Sequence, residues 1–209
     1  MNDWTAAHEL SHLLLPYLGR DNSWYAEGFA SFMQYQILHA MNLLSKSAID
    51  TEYQRRLDKA ESNYTFDQLP FALAAKKLRA QHKYPTMYWG GAAYFLKVDQ
   101  VLRANGGSLL KTVQDYIKCC RQNSSDLNTL TQDLDRISSM DIFSNELSVF
   151  QFQPGFPKYT PQPLILHHTA SQHSRDRPSL PVTTAKQLPA RSASLDSFRP
   201  ATINFKSSH

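Results

Sequence analysis

The sequence predicts a mainly α-helical fold followed by an unstructured tail, on three observations. Apolar residues recur at helical spacing through most of residues 1–150. Almost no stretch alternates apolar and polar residues as a half-buried strand does. From Gln151 onward the periodicity stops, and eight of the eleven prolines lie there among many Ser and Thr. The expected organisation is one globular part over residues 1–150 and a disordered tail over 151–209, with no internal repeat.

Thr5 to Leu15 is a run of helix formers ended by Pro16 and Gly19, and Arg20-Asp21-Asn22-Ser23 offers N-caps to the next helix. That second helix is expected over Trp24–Leu44. Phe29, Met33, Ile37 and Ala40 follow its apolar spacing and leave Glu27, Ser31 and Gln34 on another strip. Two further helices are expected near Ile49–Ser62 and Pro70–Gln81. Thr86 is read as the cap of a helix to Arg103, with Gly91, Phe95, Val98 and Leu102 on one face. Asn105-Gly106-Gly107 stops it. Ser108 starts the next, with Leu110, Val113 and Ile117 expected inward, and Leu127, Leu130, Leu134 and Ile137 mark a last amphipathic helix.

The net charge of +4 belongs to the tail. Residues 151–209 carry seven Lys/Arg against two Asp/Glu, leaving fifteen against sixteen in residues 1–150. No clustered Lys/Arg footprint marks the globular part as binding nucleic acid. Cys119 and Cys120 are read as ordinary thiols, because neighbours on a helix point about 100° apart. No run of about 18 apolar residues marks a membrane span, and no basic start with an apolar stretch marks a signal peptide. The compartment is unknown from this and cytoplasmic by default. His167, His168 and His173 in the tail, and His39 and His82 before it, are read as solvated or packing residues, since none has a spaced metal-binding partner.

His8-Glu9-Leu10-Ser11-His12 is different. Histidines at i and i+4 lie one above the other on a helix, so both imidazoles can reach one cation at ~2.0–2.1 Å. Glu9 is rotated from that pair, which suits a base that holds a water rather than a ligand. A catalytic zinc site needs a third protein ligand and an open fourth position. Glu27 is the best candidate, because it stands near the start of the next helix after a short turn that folds it back on the histidines.

Trp24-Tyr25-Ala26-Glu27-Gly28-Phe29-Ala30-Ser31 closely resembles the W-x-N-E-G-F-A-S segment of aminopeptidase-N-like gluzincin metallopeptidases. Tyr88-Trp89-Gly90-Gly91-Ala92 stands about sixty residues further on, where that family has a Y-x-K-G-A-like segment. The related glycyl-aminopeptidase family shares an A-E-G-F motif. The resemblance implies the helical lobe of a thermolysin-like catalytic domain, with one Zn2+ held by His8, His12 and Glu27. It further implies Glu9 as general base and later proton donor, Tyr88 as a hydrogen-bond donor to the oxyanion, and a peptide as substrate. Without it, Tyr88 reads as a packing residue like Tyr94. Ser31, one turn after Glu27, is a candidate to orient a ligand, although a helical serine is more often solvated.

The chain departs from the family in three places. The connection from His12 to Glu27 is short at fourteen residues, and Gly90 replaces the lysine of Y-x-K-G. A G-A-M-E-N-type segment, which grips a substrate's free amine, would lie upstream of His8, where only seven residues stand. The resemblance thus implies a C-terminal fragment whose partner is a missing N-terminal lobe. Two alternatives remain: a truncated, non-catalytic helical module that binds metal or a partner, and a zinc hydrolase of non-peptide electrophiles.

Overall fold

The computed structural model describes residues 4–122 and 126–161. They form eight α-helices and a 3₁₀ turn: α1 (Trp4–Ser11), the turn Arg20–Asn22, α2 (Ser23–Ala40), α3 (Lys46–Ser62), α4 (Phe71–Ala80), α5 (Tyr84–Ala104), α6 (Leu109–Cys119), α7 (Leu127–Ser138) and α8 (Ile142–Phe152). No strand occurs among the described residues, so the mainly α reading holds. None of these helices is long and apolar enough to cross a membrane.

The centre is the crossing of α2 and α5, which pack along each other more extensively than any other pair. Tyr25 and Phe29 of α2 meet Phe95 of α5 edge-on, with centroids 4.7 and 5.3 Å apart. Trp24 stacks on Phe150 of α8 at 5.3 Å. Two buried phenols stitch helices to backbone: Tyr53 donates to the Phe32 carbonyl at 2.6 Å and Tyr94 to the Phe143 carbonyl at 2.7 Å. Both phenols are held far above their ordinary pKa, chiefly by burial, and stay protonated donors. Because α2 is covered on both sides, Ser31 and Gln34 are as buried as Phe29 and Met33.

Several sequence expectations shift by a turn, each for a physical reason. The first helix ends at Ser11 rather than Leu15, as i→i+3 bonds from His12, Leu13 and Leu14 tighten the chain ahead of Pro16. α2 ends four residues early because Asn42 takes a left-handed turn (φ 57°), letting the Leu43 amide close on the Leu38 carbonyl. α5 begins at Tyr84, with Pro85 in its first turn, so Thr86 is an interior residue rather than the cap. On α6 the buried face is Leu109, Thr112, Val113 and Tyr116, while Leu110 and Ile117 are 48% and 40% exposed. Val113 belongs to both candidate stripes, and the one containing aromatic Tyr116 is the one that packs.

Cys119 and Cys120 are not separate thiols: they form a disulfide with each other, Cα atoms 3.7 Å apart. Cys120 leaves the helix at φ −133°, ψ −10°, so the helical offset that would separate the side chains no longer applies. The folded chain also continues past residue 150. α8 was not expected from the sequence, and beyond it Phe156 is buried against Phe71, their rings 6.1 Å apart. The rest of the tail, with His167, His168 and His173, lies outside the described residues.

α8 is started from another helix. The buried Asp135 carboxylate on α7 accepts the Phe143 amide at 2.7 Å, the Ser144 amide at 3.0 Å and the Ser144 hydroxyl. Asp135→Ala would strand two helix-start N–H groups in a dry environment. A loss of about 2–3 kcal/mol is expected, read as a lower chemical-denaturation midpoint.

Candidate metal centre

Each predicted ligand has a structural cause for its position. His8 is in the last turn of α1, and His12 sits one residue past its end, with the rings 5.2 Å apart and nearly perpendicular. Gly19, at φ 79°, turns the chain into the 3₁₀ segment, and α2 then carries Glu27 back across α1. Glu27 Oε2 lies 3.2 Å from His8 Nε2 and 3.7 Å from His12 Nε2. One ligand atom from each of the three lies within 4.8 Å of the others, the only such cluster of three or more His, Cys, Asp or Glu among the described residues.

The spacing fits a small tetrahedral cation. Ligand atoms ~2.0–2.1 Å from zinc stand about 3.3 Å from one another, and the two His–Glu separations straddle that value. Nitrogen from two imidazoles and oxygen from one carboxylate is also the donor set of catalytic zinc sites that keep a position open. The residues therefore fit one Zn2+.

Gln34 supplies the outer support. Its Oε1 lies 3.2 Å from His8 Nδ1, so a proton on Nδ1 is donated to Gln34 and the Nε2 lone pair is left facing Glu27 and His12. Gln34 is two turns along α2 from Glu27 on the strip the sequence had separated, and is nearly inaccessible. Ser31, the sequence candidate for this role, is buried on the same strip and borders the same cavity, but the bond to His8 is made by Gln34.

Burial of the His8 ring works against its charge, yet hydrogen bonding and attraction from Glu27, with help from Gln34, raise its pKa above 6.5. In the metal-free chain a second proton, on Nε2, stabilises the His8–Glu27 contact. That contribution is complete below pH ~6.5 and is lost as pH rises through the higher folded value. A cation on Nε2 would have to displace that proton, so metal affinity is expected to rise as pH climbs from 6.5 through the raised His8 value, with proton release. Competition titrations with a chromophoric chelator across that range would check this.

Glu9, His8, His12, Glu27 and Tyr88 share a cavity of about 300 Å3. Glu9, His12 and Glu27 also border a second cleft, about 440 Å3, towards Pro16–Arg20 and Arg79, so the centre opens on two sides. The Tyr88 ring lies over His8 with centroids 6.0 Å apart. Burial and the neighbouring Glu27 carboxylate push its hydroxyl up to about 12, which keeps it a donor at neutral pH.

Two glycines bring Tyr88 to the ligands. A Cβ on Gly28 would lie 2.3 Å from the Gly91 carbonyl carbon, and one on Gly91 only 2.1 Å from the Trp24 oxygen. α2 and α5 thus touch backbone to backbone, one residue after Glu27 and three after Tyr88. Gly90, where the resembling family has lysine, stands against Phe71, whose ring would be 2.3 Å from an added Cβ. No long side chain fits there without displacing that ring. His39 and His82 lie elsewhere, beside the Leu44 carbonyl and the Tyr84 hydroxyl, in keeping with packing or surface roles. The chain matches no protein-family model, no curated protein and no solved structure.

Proposed function

We propose that this chain is the helical lobe of a thermolysin-like zinc metallopeptidase of aminopeptidase-like type, hydrolysing peptide bonds with Glu9 as general base. The observation that carries the reading is the convergence of His8, His12 and Glu27 with Glu9 and Tyr88 around one cavity. When bound, zinc lowers the pKa of a coordinated water towards ~7 and polarises the scissile carbonyl. Glu9 takes a proton from the attacking water on its carboxylate and passes it to the leaving nitrogen. The Tyr88 hydroxyl, protonated throughout, donates to the oxygen on which negative charge develops. Gln34 holds His8 in the tautomer that leaves Nε2 free to coordinate.

Metal analysis and peptide cleavage by purified protein test the proposal. Stoichiometric zinc is expected, lost on His12→Ala. Tyr88→Phe is expected to keep zinc and lose about 10²–10³ in kcat. Full activity in Tyr88→Phe would remove the tyrosine from the chemistry.

One observation favours a second reading, a helical module that binds metal or a partner without turnover. Leu10, Leu13 and Tyr17, beside the ligands, are 60%, 64% and 83% exposed. Such side chains suit a face covered by a further lobe. Stoichiometric zinc with no cleavage of any peptide would support this reading over the first.

A further inference from the structure

We propose that the metal cavity continues into a cationic pocket that holds a carboxylate of the substrate, so that peptides with a free C-terminus are preferred. This rests on the zinc-peptidase reading and adds the direction in which the peptide lies. Arg56 of α3 borders the 300 Å3 cavity that contains the ligands. With Pro85 and Trp89 it also borders an adjoining cavity of about 480 Å3. The shared wall makes the two cavities neighbours across the Trp89 indole.

Their electrostatics are opposite. The metal end carries the carboxylates Glu9 and Glu27. The adjoining pocket carries Arg56, Lys59 and Lys83 and no Asp or Glu, and its other polar lining residues include Ser62, Asn63, Thr65 and Thr86. Arg56 is held in place on two sides. Its Nε donates to Glu52 Oε1 at 2.8 Å, and its guanidinium carbon lies 5.6 Å from the Trp89 ring centroid. The bond to Glu52 engages one of the five N–H donors of a planar fork suited to carboxylates. Lys83 is steadied by Thr65 Oγ1 at 3.3 Å. A peptide with its scissile carbonyl at the ligands and its C-terminus beyond Trp89 would bring a negative charge to Lys59, Lys83 and Arg56, the last partly offset by Glu52.

The test is binding of short alanine peptides, in free-acid and C-terminal amide forms, to metal-free protein and to the zinc-loaded Glu9→Gln variant. Intrinsic fluorescence or calorimetry at low ionic strength serves as the readout. The acid is expected to bind about ten-fold tighter than the amide in both states, the difference shrinking with added salt. In Lys59→Gln/Lys83→Gln, which leaves Arg56 on Glu52 and Trp89, the preference should fall several-fold. In Arg56→Gln/Lys83→Gln it should vanish. Equal affinity for acid and amide in both states, or an undiminished preference in the lysine pair variant, would overturn the inference while leaving zinc uptake untouched. An acid preference in protein that takes up no zinc would overturn the metal reading and not this pocket.

Discussion

Gly28→Ala is expected to destabilise the fold by about 3–5 kcal/mol and to abolish the zinc uptake proposed for the His8, His12 and Glu27 cluster. Helix propensity alone favours the change by up to about 1 kcal/mol, since alanine replaces glycine within α2. Overlap reverses the sign. The new methyl would sit 2.3 Å from the Gly91 carbonyl carbon and 2.7 Å from its Cα, both backbone atoms that no rotamer change can move. α2 and α5 must then separate, and Glu27 and Tyr88 are adjacent to the point where they are forced apart. Gly91→Ala meets the Trp24 carbonyl instead and is expected to behave alike. Denaturant unfolding and zinc content read both effects. A variant as stable as the parent with full zinc would show that the crossing does not set the site.

Glu9→Gln is expected to separate binding from chemistry. Glu9 is exposed at the junction of two clefts and is not one of the three converging ligands. The amide keeps the shape and can still hold a water, but cannot accept its proton. A fall of about 10²–10⁴ in kcat is expected, with zinc stoichiometry and stability unchanged. Cleavage that survives the substitution would mean that the base is elsewhere or that the hydrolysis comes from a contaminant.

The convergence of His8, His12 and Glu27 was legible because its geometry is local. His8 and His12 stand in an i, i+4 relation, and Glu27 follows a turn marked by Pro16, Gly19 and a polar stretch. Gln34 was placed on the right strip but not recognised, because its role depends on facing a histidine 26 residues away. The glycine crossing was likewise hidden: Gly28 and Gly91 are unremarkable until two backbones meet. α8 was missed for a related reason, since the carboxylate that starts it comes from Asp135 on α7, not from a residue at its own beginning. The end of α2 was misjudged because Asn42 adopts a left-handed conformation, a task the sequence advertises most clearly when the residue is glycine.

The ligands are unequally housed, and this bears on how the protein would hold its metal. Glu27 and Gln34 ride on α2, one of the two helices that cross at the centre of the fold, whereas His8 and His12 hang on an eight-residue helix and the turn after it. A helix that short has little stability of its own, and α1 adds little apolar area to the core. Zinc would therefore serve as the clasp that keeps the first segment docked, adding its binding free energy to that one contact. Release of a bound metal would not have to wait for global unfolding: local opening of α1 would dismantle the centre while the aromatic interior stayed intact. Residence time of a bound ion would then report the dynamics of that eight-residue helix and the turn after it.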